Sequence, residues 1–186
     1  EYNYSCQFVC ANPKCLEKIF NIGVGGVEID YNARVQRWDY FTPTYFLPHL
    51  QIFNVPNDTP VEIRDSINKS FELFFASPSA SAGQVRIALE HLLNSFKVKR
   101  FDLREGKRYQ LSLHARLKSL PSKLRPYSDE LLAVKWLGND GSHAADISKD
   151  DVMDAYEIFD FVLSELYSKK KEKTKKLASK INKSRK

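Results

Sequence analysis

From Val27 to Gln36 apolar and polar positions alternate: Val27, Ile29, Tyr31, Ala33 and Val35 share one side, Glu28, Asp30, Asn32, Arg34 and Gln36 the other. A period of two is that of a half-buried strand. Gly23, Gly25 and Gly26 come just before it and predict a hairpin turn from an earlier strand over residues 18–22. The aromatic run that follows, Trp38, Tyr40, Phe41, Tyr45 and Phe46, is interrupted by Pro43 and Pro48. Such a run predicts a lid packed on a core rather than a platform for stacked bases.

After Pro56 the period changes to that of helices. Thr59, Pro60 and Glu62 form a capping-box pattern ahead of the stripe Ile63, Ile67, Phe71 and Phe74, predicting a first helix over about 60–76. A second, over about 80–97, carries Val85, Ala88, Leu89, Leu92, Leu93 and Phe96. A short third helix is predicted near 111–120, ended by Pro121. The fourth starts at Ser128, with Tyr127 and Leu132 placed as a hydrophobic staple. The last starts at Ser148, with Asp150 and Asp151 in its first turn and the stripe Val152, Ala155, Tyr156, Phe159, Val162, Leu163 and Leu166. Five helices with short connections predict an antiparallel bundle, with the strand region packed on its side or end. The expected fold class is therefore α+β, mainly α. Residues 1–58 form a strand-rich, cysteine-containing module, 59–167 the helical bundle and 168–186 a Lys-rich tail.

Composition adds bounds. The chain has 186 residues, 42% of them hydrophobic, which suits one folded domain with a small appendage. No apolar run is long enough to span a bilayer, so no membrane partner is expected and a cytoplasmic location is. The chain opens on Glu1 without a leader-like segment, which suggests a piece of a longer polypeptide. Its formal charge of +6 is unevenly placed. Residues 168–186 hold ten Lys or Arg against Glu172 alone, leaving 19 basic and 22 acidic residues in 1–167. The tail is expected to be either a solvated, unstructured extension or a tether for phosphate backbones, with Lys169, Lys170, Lys171, Lys173, Lys175 and Lys176 as the contacting positions.

Cys6, Cys10 and Cys15 are the three cysteines. Cys10 and Cys15, with four residues between them, resemble a metal knuckle, and Cys6 offers a third zinc ligand. The fourth would be His49 or a residue upstream of Glu1; the alternative is small buried thiols. Among the histidines, His91 and His114 read as structural or surface residues. His143 stands out because Gly138 and Gly141 give its surroundings backbone freedom. A helix continued through Gly138-Asn-Asp-Gly-Ser-His143 would align Lys135, Asn139 and His143 at successive turns. A cation, an amide and an imidazole in a row suit phosphate binding or RNA-backbone cleavage. The plainer alternative is a helix ended by the glycines and capped by Asn139. Arg86 and Glu90 read as an intrahelical ion pair.

Several segments together resemble the bacterial domain-of-unknown-function family numbered 4145: Cys10-Ala-Asn-Pro-Lys-Cys15, Val55-Pro56 to Thr59-Pro60, Arg86-Ile-Ala-Leu-Glu90-His-Leu-Leu93, and Ala133 through His143. That family is similar to the HEPN helical domains, many of which are dimeric ribonucleases, toxins or RNA-binding partners. The resemblance implies a HEPN-like bundle, a homodimer formed through the last two helices, and an interaction or nucleic-acid-associated role, on RNA or DNA, within a larger anti-phage or restriction-type system. The HEPN ribonuclease signature places an Arg, often followed by Asn, ahead of the His. Here Asn139 and His143 match its second half, while Gly138 stands in place of the Arg and Lys135 is one residue too far. A Lys is also a poor substitute for a bidentate guanidinium. The expected function is therefore binding or assembly without catalysis. One alternative is a metal-independent endoribonuclease with catalytic His143, Asn139 and Lys135, or with Arg86 in the role of the Arg. The other is a purely structural docking module.

Overall fold

The computed structural model describes residues 1–30, 36–140, 147–168 and 170–184. Four apolar stripes converge to make its core. They come from α1 (Val61–Leu73), α2 (Pro78–Ser95), α4 (Ser128–Asp140) and α5 (Lys149–Tyr167). Ile63, Ile67 and Phe71 meet Val85, Leu89 and Leu92, Leu131 and Val134, and Val152, Phe159, Val162 and Leu163, all excluded from solvent. Helix α2 is the hub, packed against α1, α4 and α5. Burying each of these side chains stabilises the fold by about 1.5–3 kcal/mol before chain entropy is counted.

A cluster of three hydroxyls sits inside this apolar interior. The Tyr156 hydroxyl lies 2.7 Å from Ser70 Oγ and 2.8 Å from Ser81 Oγ, and each serine also donates to the other's carbonyl at 2.8–2.9 Å. Burial raises the Tyr156 pKa. The triad ties α1, α2 and α5 together with every hydroxyl satisfied, the condition under which a buried polar network specifies one packing.

The helix starts follow their caps. Ser77 Oγ accepts from the Ala80 N–H ahead of α2, with Pro78 at the first helical position. Ser148 and Asp151 close a full capping box on α5, and the Ser148 donors hold the Asp151 carboxyl below its ordinary pKa. The box predicted at Thr59 does not form. Pro60 takes the cap position, Arg64 Nη2 donates to the Thr59 carbonyl, and the Thr59 hydroxyl is buried without a partner.

Further sequence expectations need correction. The helix predicted over 111–120 contracts to α3 (Leu113–Leu117), and a hairpin of β4 (Phe101–Arg104) and β5 (Lys107–Gln110) precedes it. Its two-residue turn, Glu105 at φ 50° and Gly106 at φ 75°, has the left-handed conformation that matches the twist of paired strands. The glycines at 23–26 do not turn the chain either: β2 runs unbroken over Lys18–Asp30 between β1 (Tyr2–Val9) and β3 (Gln36–Leu47), in an antiparallel sheet of order β1-β2-β3. A Cβ at Gly25 would stand 2.6 Å from the Tyr2 ring, and one at Gly26 the same distance from the Tyr40 hydroxyl. The glycines make room for aromatic rings across the strand. The aromatic run therefore lies on an edge strand, not in a lid. Phe46 meets Phe75 of the helical part at 4.7 Å between ring centroids, whereas Phe41 is 57% exposed.

The tail also departs from expectation. Ser168, in extended conformation, ends α5, and α6 (Lys170–Ser184) follows as a helix. Lys, Glu, Leu and Ala are good helix formers, so composition rather than packing accounts for it. Its described side chains are exposed. No helix among the described residues is long and apolar enough to cross a membrane.

Candidate nucleic-acid interface

Among the residues singled out by the Lys135, Asn139 and His143 motif, His143 lies outside the described residues. Asn139 belongs to the last turn of α4, and its side chain is likewise outside the description. Lys135 is described and is buried, 6% exposed, with its Nζ 3.2 Å from the centre of the Trp136 ring. Trp136 in turn meets His114 of α3 at 6.0 Å. The cation of the motif is thus held inside the bundle against an aromatic face, an arrangement that stabilises a desolvated ammonium.

The cysteines occupy the first hairpin. Cys10 and Cys15 flank the exposed turn between β1 and β2, where Asn12 accepts from the Cys15 and Lys14 N–H groups. Cys6 stands on β1 with its Sγ 3.9 Å from Asn21 Oδ1, an oxygen that already accepts from the Tyr4 hydroxyl at 2.7 Å. Among the described residues no three His, Cys, Asp or Glu side chains form a group able to hold a metal. The turn supplies two thiols where tetrahedral zinc takes four ligands.

The described basic side chains gather elsewhere, around the β4–β5 hairpin. Residues 97–108 hold six Lys or Arg against Asp102 and Glu105. The segment leaves α2 through Lys97, a non-glycine residue at φ 57°. The Lys97 N–H donates to the Asn94 carbonyl and the Val98 N–H to the Leu93 carbonyl, both at 2.9 Å, closing a Schellman motif. A Lys in that conformation costs roughly 1–2 kcal/mol relative to Gly. Beyond it, the Arg108 Cζ stands over the Phe101 ring, 3.8 Å from its centroid, and Lys99 bonds Asp102 at 2.7 Å. Lys97, Lys99, Arg100, Phe101, Leu103 and Arg108 line an open cavity of about 670 Å³. Leu103 and Tyr109 are 73% and 49% exposed on the same hairpin.

A second cavity adjoins the first and shares Arg100 with it. Its walls come from α2 through Arg86 and Glu90, from the end of β5 through Gln110, and from Ser112 and Arg116 at α3. Arg86 and Glu90 form the predicted intrahelical pair, Nε to Oε1 at 3.7 Å. Arg116 is 4% exposed, and its Nη2 donates to Asn94 Oδ1 at 2.7 Å and to the Val98 carbonyl.

A family model described as a domain of unknown function, DUF4145, matches residues 68–184. The chain belongs to this family. The DUF4145 match begins inside α1 and takes in the hairpin, both cavities and α6, while the β1–β3 sheet with its cysteines lies before it. No curated protein and no solved structure matches the chain significantly.

Within the DUF4145 region, the hairpin is what sequence reading missed. Four-residue strands are too short to show a period, and its positive charge is hidden in the acidic average of residues 1–167. The usable signal was the sequence Arg-Glu-Gly-Lys at 104–107, a two-residue turn with glycine second, set in a local run of cations. Of the predicted tail contacts, Lys176 is exposed on α6, where it lines an open groove with Lys180 and Lys183. Lys170, Lys171, Lys173 and Lys175 share that helix with their side chains outside the description, and Lys169 lies outside the described residues.

Proposed function

We propose that this DUF4145 domain is a non-catalytic binding module for single-stranded RNA or DNA, seated on the β4–β5 hairpin. The observation that carries the reading is the cavity in which Lys97, Lys99, Arg100 and Arg108 surround Phe101, on a hairpin that also exposes Tyr109. Cations spaced along a groove track a phosphate backbone, and aromatic or guanidinium planes stack bases without regard to sequence. Binding without cleavage fits the burial of Lys135, the cation of α4. The resemblance to HEPN domains supplies the wider setting, an assembly component of a bacterial defence system that pairs through α4 and α5. Trp136, Met153 and Phe161, all exposed on those two helices, support that pairing.

Fluorescence anisotropy with labelled RNA and DNA strands at two salt concentrations tests the reading. Affinity should fall steeply as salt rises and differ little between sequences. Failure to bind at low salt would overturn it. Release of labelled fragments lost in His143→Ala would replace it with the ribonuclease reading.

A further inference from the structure

The second cavity has a charge arrangement that strand tracking alone does not require. Three arginines, Arg86, Arg100 and Arg116, line about 400 Å³ together with Glu90, Gln110 and Ser112. Glu90 already pairs with Arg86. Arg116 is buried on neutral acceptors, an Asn94 amide oxygen and a backbone carbonyl, and its Nε has no partner at all. Burial lowers the Arg116 pKa and Arg100 lowers it further, against a raising effect of Glu90. Three arginines thus share one carboxylate, Glu90, and the buried Arg116 has only neutral hydrogen-bond partners, an excess of positive charge that a further anion would offset. Hydrogen bonds to the Asn94 amide oxygen and the Val98 carbonyl fix the guanidinium in place without neutralising it.

We infer that this cavity is a site for a phosphate monoester, taking the terminal phosphate of a strand that lies on the neighbouring hairpin or the same group on a free nucleotide. A dianion with three terminal oxygens matches several planar, fork-shaped donors better than a bridging phosphodiester with two. Arg100 lines both cavities, so a chain leaving the first ends naturally at the second. Glu90 and Gln110 then offer acceptors to a sugar hydroxyl or a base amine. The strand form of the inference rests on the proposed function, whereas the phosphate chemistry of the cavity does not.

The experiment uses the full chain and compares one oligonucleotide carrying a 5′-phosphate, a 3′-phosphate or hydroxyl ends, alongside a nucleoside 5′-monophosphate and the bare nucleoside in calorimetry. A phosphorylated end should bind roughly tenfold more tightly than a hydroxyl end. Arg86→Gln, which touches the second cavity and not the first, should abolish that preference while leaving the hydroxyl-ended strand within about twofold of its original affinity. Arg100→Gln should weaken both. Equal affinity for all ends, with the monophosphate no better than the nucleoside, would overturn the site and leave strand binding intact. Binding of the monophosphate without binding of any strand would support the site and overturn the strand reading.

Discussion

Two basic surfaces lie on this chain, and they differ in what holds the charges. Around β4 and β5 several cations are held by the fold: Lys99 by Asp102, Arg108 by an aromatic face, Arg116 by an amide in the bundle. On α6 the described lysines stand on an exposed helix with water around them. Fixed cations lose little side-chain entropy on binding and set a geometry, whereas solvated ones supply attraction that salt readily screens. Under the proposed function, the first surface is the one that discriminates among anions. The second can only raise their local concentration.

Breaking the fixed surface should produce the largest effect. Reversing two of its charges, Arg100→Glu with Arg108→Glu, is expected to weaken strand binding by roughly two orders of magnitude at low salt, read by anisotropy. A comparable loss from the loss of α6 alone would invert the comparison. Tyr156→Phe serves as the charge-neutral control: removing the hydroxyl shared by Ser70 and Ser81 should cost about 1–2 kcal/mol in urea unfolding and leave the affinity of the folded protein unchanged. Ending the chain at Ser168 should lower affinity by about three- to tenfold, equally for all sequences, with a shallower salt dependence. Lys97→Gly sharpens the contrast from inside the first surface. It relieves the left-handed residue and should stabilise the fold by up to about 1 kcal/mol while weakening binding several-fold, a trade expected of strain kept at a site.

What could be read from the chain alone divides along physical lines. The cores of α1, α2 and α5 were legible because long stripes repeat their period several times, and Ser148 with Asp151 marked a helix start that geometry bears out. The β2 glycines misled because flexibility suggests a turn, whereas here it leaves space for rings from the neighbouring strands. The tail showed its charge but not its helix, since a like-charge run reads as unstructured even when its residues favour helix. The strongest candidate surface stayed hidden because averaging over 167 residues conceals twelve. Arg86 and Glu90 were legible as a pair; their place on a cavity wall depends on Arg100 and Arg116, which approach only when α3 packs on the bundle.

The tyrosines laid over β2 carry a consequence for how much change the small sheet tolerates. At Gly23 a methyl group would collide with the Thr42 carbonyl as well as the Tyr4 ring, so alanine there has to push apart two neighbouring strands at once. Three hydrogen atoms in the middle strand thus act as spacers, and the sheet keeps its shape only as long as nothing larger replaces them.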